Sequence, residues 1–150
     1  MGNAMLDVIQ KLKAAIEGSR GLDAEIALHL GWQSYHGEPN PYEGNDYVHA
    51  GHWGRPGHPE DERREPKGGF AEPPRYTTSL DAALTLVPEG WAGRVEWGGC
   101  YATGKPCLPH AELAQPIQTE FGPGVGIRAQ VDGATPALAL CIAALKARSS

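Results

Sequence analysis

The sequence predicts an α+β fold, in which a small antiparallel sheet of three or four strands is layered with helices and a long irregular loop covers residues 33–74. Apolar residues recur at helical spacing in four segments, which are residues 5–17, 21–30, 78–87 and 135–147. Apolar and polar residues alternate with a period of two in residues 91–97 and 125–131, as is typical of strands. Residues 32–74 show neither pattern and are rich in Gly, Pro, His and Asn, which favours a loop.

The size and composition of the chain limit the class of protein. A chain of 150 residues can bury a core of its own, and we expect one domain over residues 1–150. Three cysteines are an odd number, which argues against a disulfide framework and for the reducing cytoplasm. The longest apolar stretch, residues 134–145, is too short to cross a bilayer, so no membrane is expected. The net charge of -5 offers no broad surface for nucleic acid.

Two amphipathic helices are predicted near the N-terminus, and they are expected to fold back on one another as a helical hairpin. The apolar stripe of the first consists of Met5, Ile9, Leu12 and Ile16. Gly18 is expected to end this helix, and Ser19 is expected to cap the second, which covers residues 21–30.

Capping signals predict the other two helices. Thr78 and Asp81 stand in the spacing of a capping box at the start of the third helix. Its expected core residues are Leu80, Ala83 and Leu84. Thr135 is expected to cap the last helix, with Pro136 in its first turn. The expected buried stripe of that helix consists of Leu138, Cys141, Ile142 and Leu145.

The strands are predicted from alternation and turn signals. The first strand, residues 91–97, is expected to place Trp91, Val95 and Trp97 on one face. The pair Gly98-Gly99 is a hairpin turn signal, so residues 100–103 are expected to return beside that strand. Residues 104–118 contain three prolines, which indicates an irregular connection or an edge strand. In the last strand, the residues expected to share one face are Val125, Ile127, Ala129 and Val131.

Three stretches of the chain resemble a family of small phage and prophage proteins, the phage ABA sandwich domain family. They are EGSRGLDAEIALHLGW at residues 17–32, PPRYTTSLDAALTLVPEGW at residues 73–91 and ATPALALCIAALKAR at residues 134–148, roughly a third of the chain. The resemblance implies a helix-sheet-helix layering and a phage or prophage origin. It implies no reaction, because most members of the family are known only as predicted proteins. The His-rich segment 32–74 departs from the shorter members, so a site there would belong to this chain alone.

Two clusters are candidates for a catalytic or metal site. Four of the six histidines lie in the loop, and they are His36, His49, His52 and His58. The two-residue gap between His49 and His52 is ligand-like, but no cysteine pair accompanies it, so we expect no metal and no other cofactor. Cys100, Cys107 and His110 match no tight nucleophile motif. No catalytic residue is predicted, and binding is favoured over enzymatic activity.

Aromatic and basic residues suggest a ligand site instead. The candidate ligand-binding residues are Tyr47, Trp53, Arg55, Arg75, Tyr76 and Thr78. Aromatic faces can stack on a base, while Arg and a helix N-terminus bind phosphate, so a nucleotide-like ligand is one interpretation. The same residue types anchor protein interfaces, and they can also simply hold a long loop on its domain.

The composition and the resemblance together favour a small phage-encoded accessory protein that antagonises host defence by binding. One mechanism is sequestration of a nucleotide-derived signalling molecule, and the alternative is occlusion of a host defence protein by the loop. A metal-dependent hydrolase that uses the loop histidines is the third hypothesis. Homo-oligomerisation is a further expectation.

Overall fold

The computed structural model describes residues 2–34, 53–54, 73–100 and 106–149. The chain falls into two compact units, of which unit 1 comprises Met1–Leu22 with Arg75–Ser150 and unit 2 comprises Asp23–Pro74. The predicted loop over residues 33–74 lies largely outside the described residues. The expectation of one domain stays a prediction.

A three-stranded antiparallel sheet forms the framework of unit 1 and confirms the predicted α+β class. Its strands are β3 (Ala92–Glu96), β6 (His110–Thr119) and β7 (Gly122–Asp132), with β6 in the centre. Two shorter pairs accompany it. In unit 1, β4 (Gly99–Cys100) pairs with β5 (Pro106–Cys107). In unit 2, β1 (Gln33–Ser34) pairs with β2 (Trp53–Gly54).

The described helices are α1 (Gly2–Ala14), α2 (Arg20–His29), α3 (Leu80–Leu84) and α4 (Pro136–Arg148). Helix α4 packs on the sheet, and α1 and α3 pack on α4. Ten of the 13 residues of α4 are buried, because the helix is apolar on all sides and is covered on all sides. In the described part of unit 1 the order is therefore sheet, α4, then α1 and α3. None of these helices has the length and apolar character needed to cross a bilayer.

The predicted caps of two helices are confirmed. The Thr135 hydroxyl oxygen accepts the Leu138 N–H at 3.1 Å, and Pro136 occupies the first turn of α4. The Ser19 hydroxyl oxygen accepts the Leu22 N–H at 3.1 Å at the start of α2. Each side chain satisfies one of the N–H groups that a helix leaves unpaired in its first turn.

Two helices have different ends from those predicted. Two apolar residues that were predicted to be buried are exposed as a result. Helix α1 ends at Ala14, so Ile16 lies beyond the helix and is 84% exposed. Helix α3 is capped by Ser79 rather than Thr78, because the Ser79 hydroxyl accepts the Ala82 N–H at 3.3 Å. The predicted core position Leu84 is wrong, since its side chain is 55% exposed and Leu86 is fully buried instead.

The partner that the structure shows for the first strand is not the predicted one, of which Cys100 pairs elsewhere and residues 101–103 lie outside the described residues. Residues 92–96 pair with residues 110–114 of β6, and the pair Gly99–Cys100 pairs with Pro106–Cys107. The three prolines of residues 104–118 favoured an irregular connection or an edge strand in the prediction. In the structure none of them interrupts the ladder between β3 and β6. Pro106 lies in β5, Pro109 precedes β6, and Pro116 lies at the register shift of the β6–β7 pair.

That register shift divides β7 into two halves that face opposite sides of the sheet. On one side of the shift, Ala129 pairs with Leu113, and both are buried against α4. On the other side, Val125 pairs with Pro116, which lies on the opposite face because β6 alternates. The predicted common face of Val125, Ile127, Ala129 and Val131 is therefore wrong. We call residues 115–127 the hairpin arm, because they extend past the end of β3.

Candidate functional site

A cavity of about 470 Å³ opens in unit 1 where three segments of the chain meet. One segment follows α1, one precedes α3, and one begins α4. Its principal lining residues are Gly18, Thr77, Thr78, Thr135, Pro136 and Ala137, and we call it the threonine cavity. Glu17 and Leu80 complete the lining.

One wall of the threonine cavity is fixed by a reciprocal pair of hydrogen bonds, which we call the Ser19–Thr77 clasp. The Ser19 N–H donates to the Thr77 hydroxyl oxygen at 2.9 Å, and the Thr77 hydroxyl donates to the Ser19 carbonyl at 3.1 Å. Thr77 is fully buried. A Cβ atom on Gly18 would overlap the Thr77 carbonyl oxygen, so only glycine allows the two segments to approach this closely.

The opposite wall is the start of α4, where one backbone hydrogen-bond donor is left for a ligand. Pro136 has no N–H, and the Leu138 N–H is taken by the Thr135 side chain. The N–H groups in the first turn of a helix have no partner within the helix. In the first turn of α4, the Ala137 N–H is therefore left for another acceptor. The positive end of the dipole of this 13-residue helix lies at the same place.

The structure places the candidate residues of the third-helix segment in different environments. Thr78 is exposed and lines the threonine cavity, and Arg75 is exposed three residues earlier. Tyr76 is only 3% exposed, so its ring belongs to the core and has no open face for stacking. The backbone of Trp53 lies in β2, whereas Tyr47 and Arg55 fall outside the described residues.

Just before α3, two N–H groups are already paired within the chain. The N–H groups of Thr78 and Ser79 both donate to the Arg75 carbonyl, at 3.2 and 3.0 Å. The helix itself has only five residues. The longer helix α4, with 13 residues, is therefore the better candidate for an anion site, and the site at α3 stays a prediction.

The outer face of the sheet carries charge that is paired within the chain. The Glu112 carboxylate lies 3.4 Å from Arg94 Nη2 and 3.3 Å from Arg128 Nη1, and its side chain is 18% exposed. His110 Nδ1 lies 2.7 Å from Asp132 Oδ1. Because both arginines already face a carboxylate, this surface is a poor trap for a free anion compared with the threonine cavity.

No group of three or more His, Cys, Asp or Glu side chains is placed to hold a metal ion among the residues that the structure describes. The loop histidines fall outside those residues, so the hydrolase hypothesis stays a prediction. Cys141 is buried and donates its Sγ–H to the Tyr76 carbonyl at 3.0 Å. This confirms its predicted place in the core.

No family model, curated protein or solved structure matches the chain. The resemblance to the phage ABA sandwich proteins therefore stays a prediction. Sequence reasoning found Thr78 and Thr135 but missed the contribution of Gly18 and Thr77. A Gly-Ser pair after a helix and a Thr-Thr pair before another were the available signals, and nothing in them indicates that the two pairs meet.

Proposed function

We propose that the chain is a small phage-encoded protein that acts in the host cytoplasm and antagonises host defence by sequestering a nucleotide-derived signalling molecule in the threonine cavity. The observation that carries the proposal is the cavity itself. Its volume of about 470 Å³ lies in the usual range for small-molecule sites. It also contains Thr78, one of the residues that the sequence singled out.

The lining residues coincide with the stretches that resemble phage proteins. Every lining residue belongs to one of the three stretches that resemble phage proteins, residues 17–32, 73–91 and 134–148. These stretches are far apart in the chain, yet they converge on one cavity. A shared ligand site gives a reason for that resemblance beyond packing alone.

The chemistry of the lining suits a nucleotide. The Ala137 N–H, the Thr135 and Thr78 hydroxyls and the positive end of α4 favour a phosphate group. The Glu17 carboxylate can accept a hydrogen bond from a ribose hydroxyl but would repel phosphate. The phosphate is therefore expected at the α4 side, and the sugar at the Glu17 side. Leu80 and Pro136 supply apolar contact.

Arg75 adds a positive charge to the segment that forms the cavity wall. It is exposed, and its carbonyl holds the turn on which Thr78 lies. Arg75→Ala is expected to weaken binding of an anionic nucleotide by about 1.5–3 kcal/mol, the value of a hydrogen bond to a charged group. The fold is expected to persist, because the exposed side chain contributes nothing to the core.

Calorimetric titration tests the proposal with a panel of cyclic and ADP-ribose-type nucleotides. At least one is expected to bind the parent, and both Thr78→Val and Arg75→Ala are expected to weaken that binding. Thr85→Val is the matched control, since Thr85 is also exposed but its hydroxyl donates to the Ala82 carbonyl outside the cavity. If no nucleotide binds the parent more tightly than about 100 μM, roughly -5.5 kcal/mol, sequestration is wrong.

A second candidate function, occlusion of a host defence protein, is favoured by the hairpin arm. Ile117 is 41%, Val125 48%, Ile127 44% and Phe121 93% exposed. Exposed apolar groups of this kind mark protein contacts. A defence assay in cells separates the two candidates. Phe121→Ser is expected to abolish protection if the arm acts, and Thr78→Val is expected to abolish it if the cavity acts.

A further inference from the structure

The two edges of the three-stranded sheet differ in how they are protected against pairing with another chain. Strand β7 carries Pro123, several glycines and the register shift, all of which discourage a partner strand. Strand β3 has no proline, no lysine and no register shift, and four of its five residues are exposed. Among the described residues, no strand pairs with β3 on the side away from β6.

The side chains of β3 alternate between two faces of the sheet. Gly93 and Val95 pair with Leu113 and Ala111, which are buried, so they lie on the face that α4 covers. Arg94 and Glu96 lie on the other face, and their side chains are 67% and 52% exposed. The same alternation places Trp97, which follows the strand and is 73% exposed, on the face of Val95.

A groove of about 490 Å³ runs beside this edge on the α4 face. Its floor includes Leu113 and Leu140, which otherwise belong to the core at 3% and 1% exposure. At Gly93 no side chain covers that floor. The groove can therefore accept one large apolar side chain from a strand that is added at the edge of β3.

We propose that β3 pairs antiparallel with β3 of a second copy of this chain, around a two-fold axis at Val95. In an antiparallel pair, residues that face each other lie on the same side of the sheet. The two-fold axis therefore passes between the two copies of one residue. An axis at Arg94 or at Glu96 would place like charges directly opposite each other, which is destabilising. The axis at Val95 places Arg94 opposite Glu96 of the second copy, and the reverse contact is identical.

The same register gives Trp97 a binding place. Trp97 falls opposite Gly93 of the second copy, beside the groove that reaches Leu113 and Leu140 there. Within its own chain, Arg94 lies 3.6 Å from Glu96 and 3.4 Å from Glu112, so its side chain is already held on the outer face. The charge pattern and the exposed tryptophan thus select the same register. The product is a continuous six-stranded sheet.

Sedimentation equilibrium over a wide concentration range tests the dimer. The parent is expected to be a dimer with a dissociation constant of about 100 μM or tighter. Trp97→Ser is expected to weaken it at least tenfold, because buried tryptophans dominate the energy of small interfaces. Phe121→Ser is the matched control, with an exposed aromatic residue outside the edge, and is expected to leave the dimer unchanged. A monomeric parent, or a dimer lost with Phe121→Ser, overturns the proposal.

Charge exchange tests the register. Arg94→Glu and Glu96→Arg are each expected to be monomeric alone, because each places like charges opposite each other across the axis. Mixed in equal amounts, the two variants are expected to form a heterodimer in which Arg faces Glu at both positions. Thermal melts of both variants check that each is folded. Two folded variants that stay monomeric when mixed contradict the axis at Val95.

Discussion

The two halves of the β6–β7 hairpin both contain apolar residues at alternating positions but have different surroundings. In the half next to β3, Ala111, Leu113, Ala129 and Val131 are at most 6% exposed, because a third strand and α4 complete the packing. In the hairpin arm, Ile117, Val125 and Ile127 are more than 40% exposed. Apolar alternation along β7 thus predicts a strand through both halves. Burial is determined by the neighbouring elements, which alternation does not report.

The largest expected difference between the halves is in the cost of removing an aliphatic side chain. Leu113→Ala is expected to lower the free energy of unfolding by about 2–5 kcal/mol, because it leaves a cavity under α4. Ile117→Ala removes a half-exposed side chain of the arm and is expected to cost less than about 1 kcal/mol. Urea unfolding of both variants measures the two values. Equal losses of unfolding free energy would show that the hairpin arm is packed as tightly as the half of the hairpin next to β3.

A smaller difference is expected between two threonine hydroxyls. Thr77→Val removes the Ser19–Thr77 clasp and leaves a part-buried N–H without its acceptor, which costs about 1–3 kcal/mol. In the arm, Thr119 donates to the Gly122 carbonyl at 2.7 Å, but both groups are exposed and water can replace the bond. Thr119→Val is expected to cost less than about 0.5 kcal/mol. Thermal melts distinguish the two variants, and the reverse order of stability would contradict the clasp.

The fold was predicted well where local signals decide it. Thr135 and Pro136 fix the start of α4, and the sequence shows both. The segment of β6 was predicted only as an irregular connection or an edge strand, because prolines look disruptive, although Pro116 lies at the register shift, where pairing is already interrupted, and the strand is central. The face of Val125 could not be predicted, since a shift in register reverses it without changing the alternation.

The candidate site was predicted only in part, for a related reason. Thr78 could be selected from its local pattern. The Ser19–Thr77 contact joins residues 58 positions apart, and no local pattern reports a contact between distant segments. Tyr76 was expected to stack on a ligand, but a tyrosine beside a helix start is equally suited to packing in a core, and burial decides between the two.

The smallest expected effect on stability concerns the charge of Lys146, near the end of α4. Burial, followed by the hydrogen bond and positive charge of Lys13, lowers the pKa of Lys146 below its usual 10.5. The unfolded chain therefore binds more protons between the lowered pKa and 10.5, so this group's contribution to stability rises with pH across that window.

The variant Lys146→Met is expected to be more stable than the parent at neutral pH, by up to about 1 kcal/mol. Lys13→Gln removes only the two smaller causes and is expected to have a smaller effect. Urea unfolding at neutral and alkaline pH measures the difference from the parent, which is expected to shrink as pH rises. A difference that does not change with pH would rule out the titration of Lys146 as its cause.

Amide chemical shifts test the central claim, that the threonine cavity is the binding site, most directly. An NMR titration with the tightest nucleotide of the panel is expected to shift the amides of Gly18, Thr78 and Ala137, which line three walls of the cavity. The amides of the hairpin arm, including Phe121, are expected to stay unchanged. Shifts confined to the arm, or no shift at the cavity at ligand concentrations well above the calorimetric dissociation constant, would contradict the account.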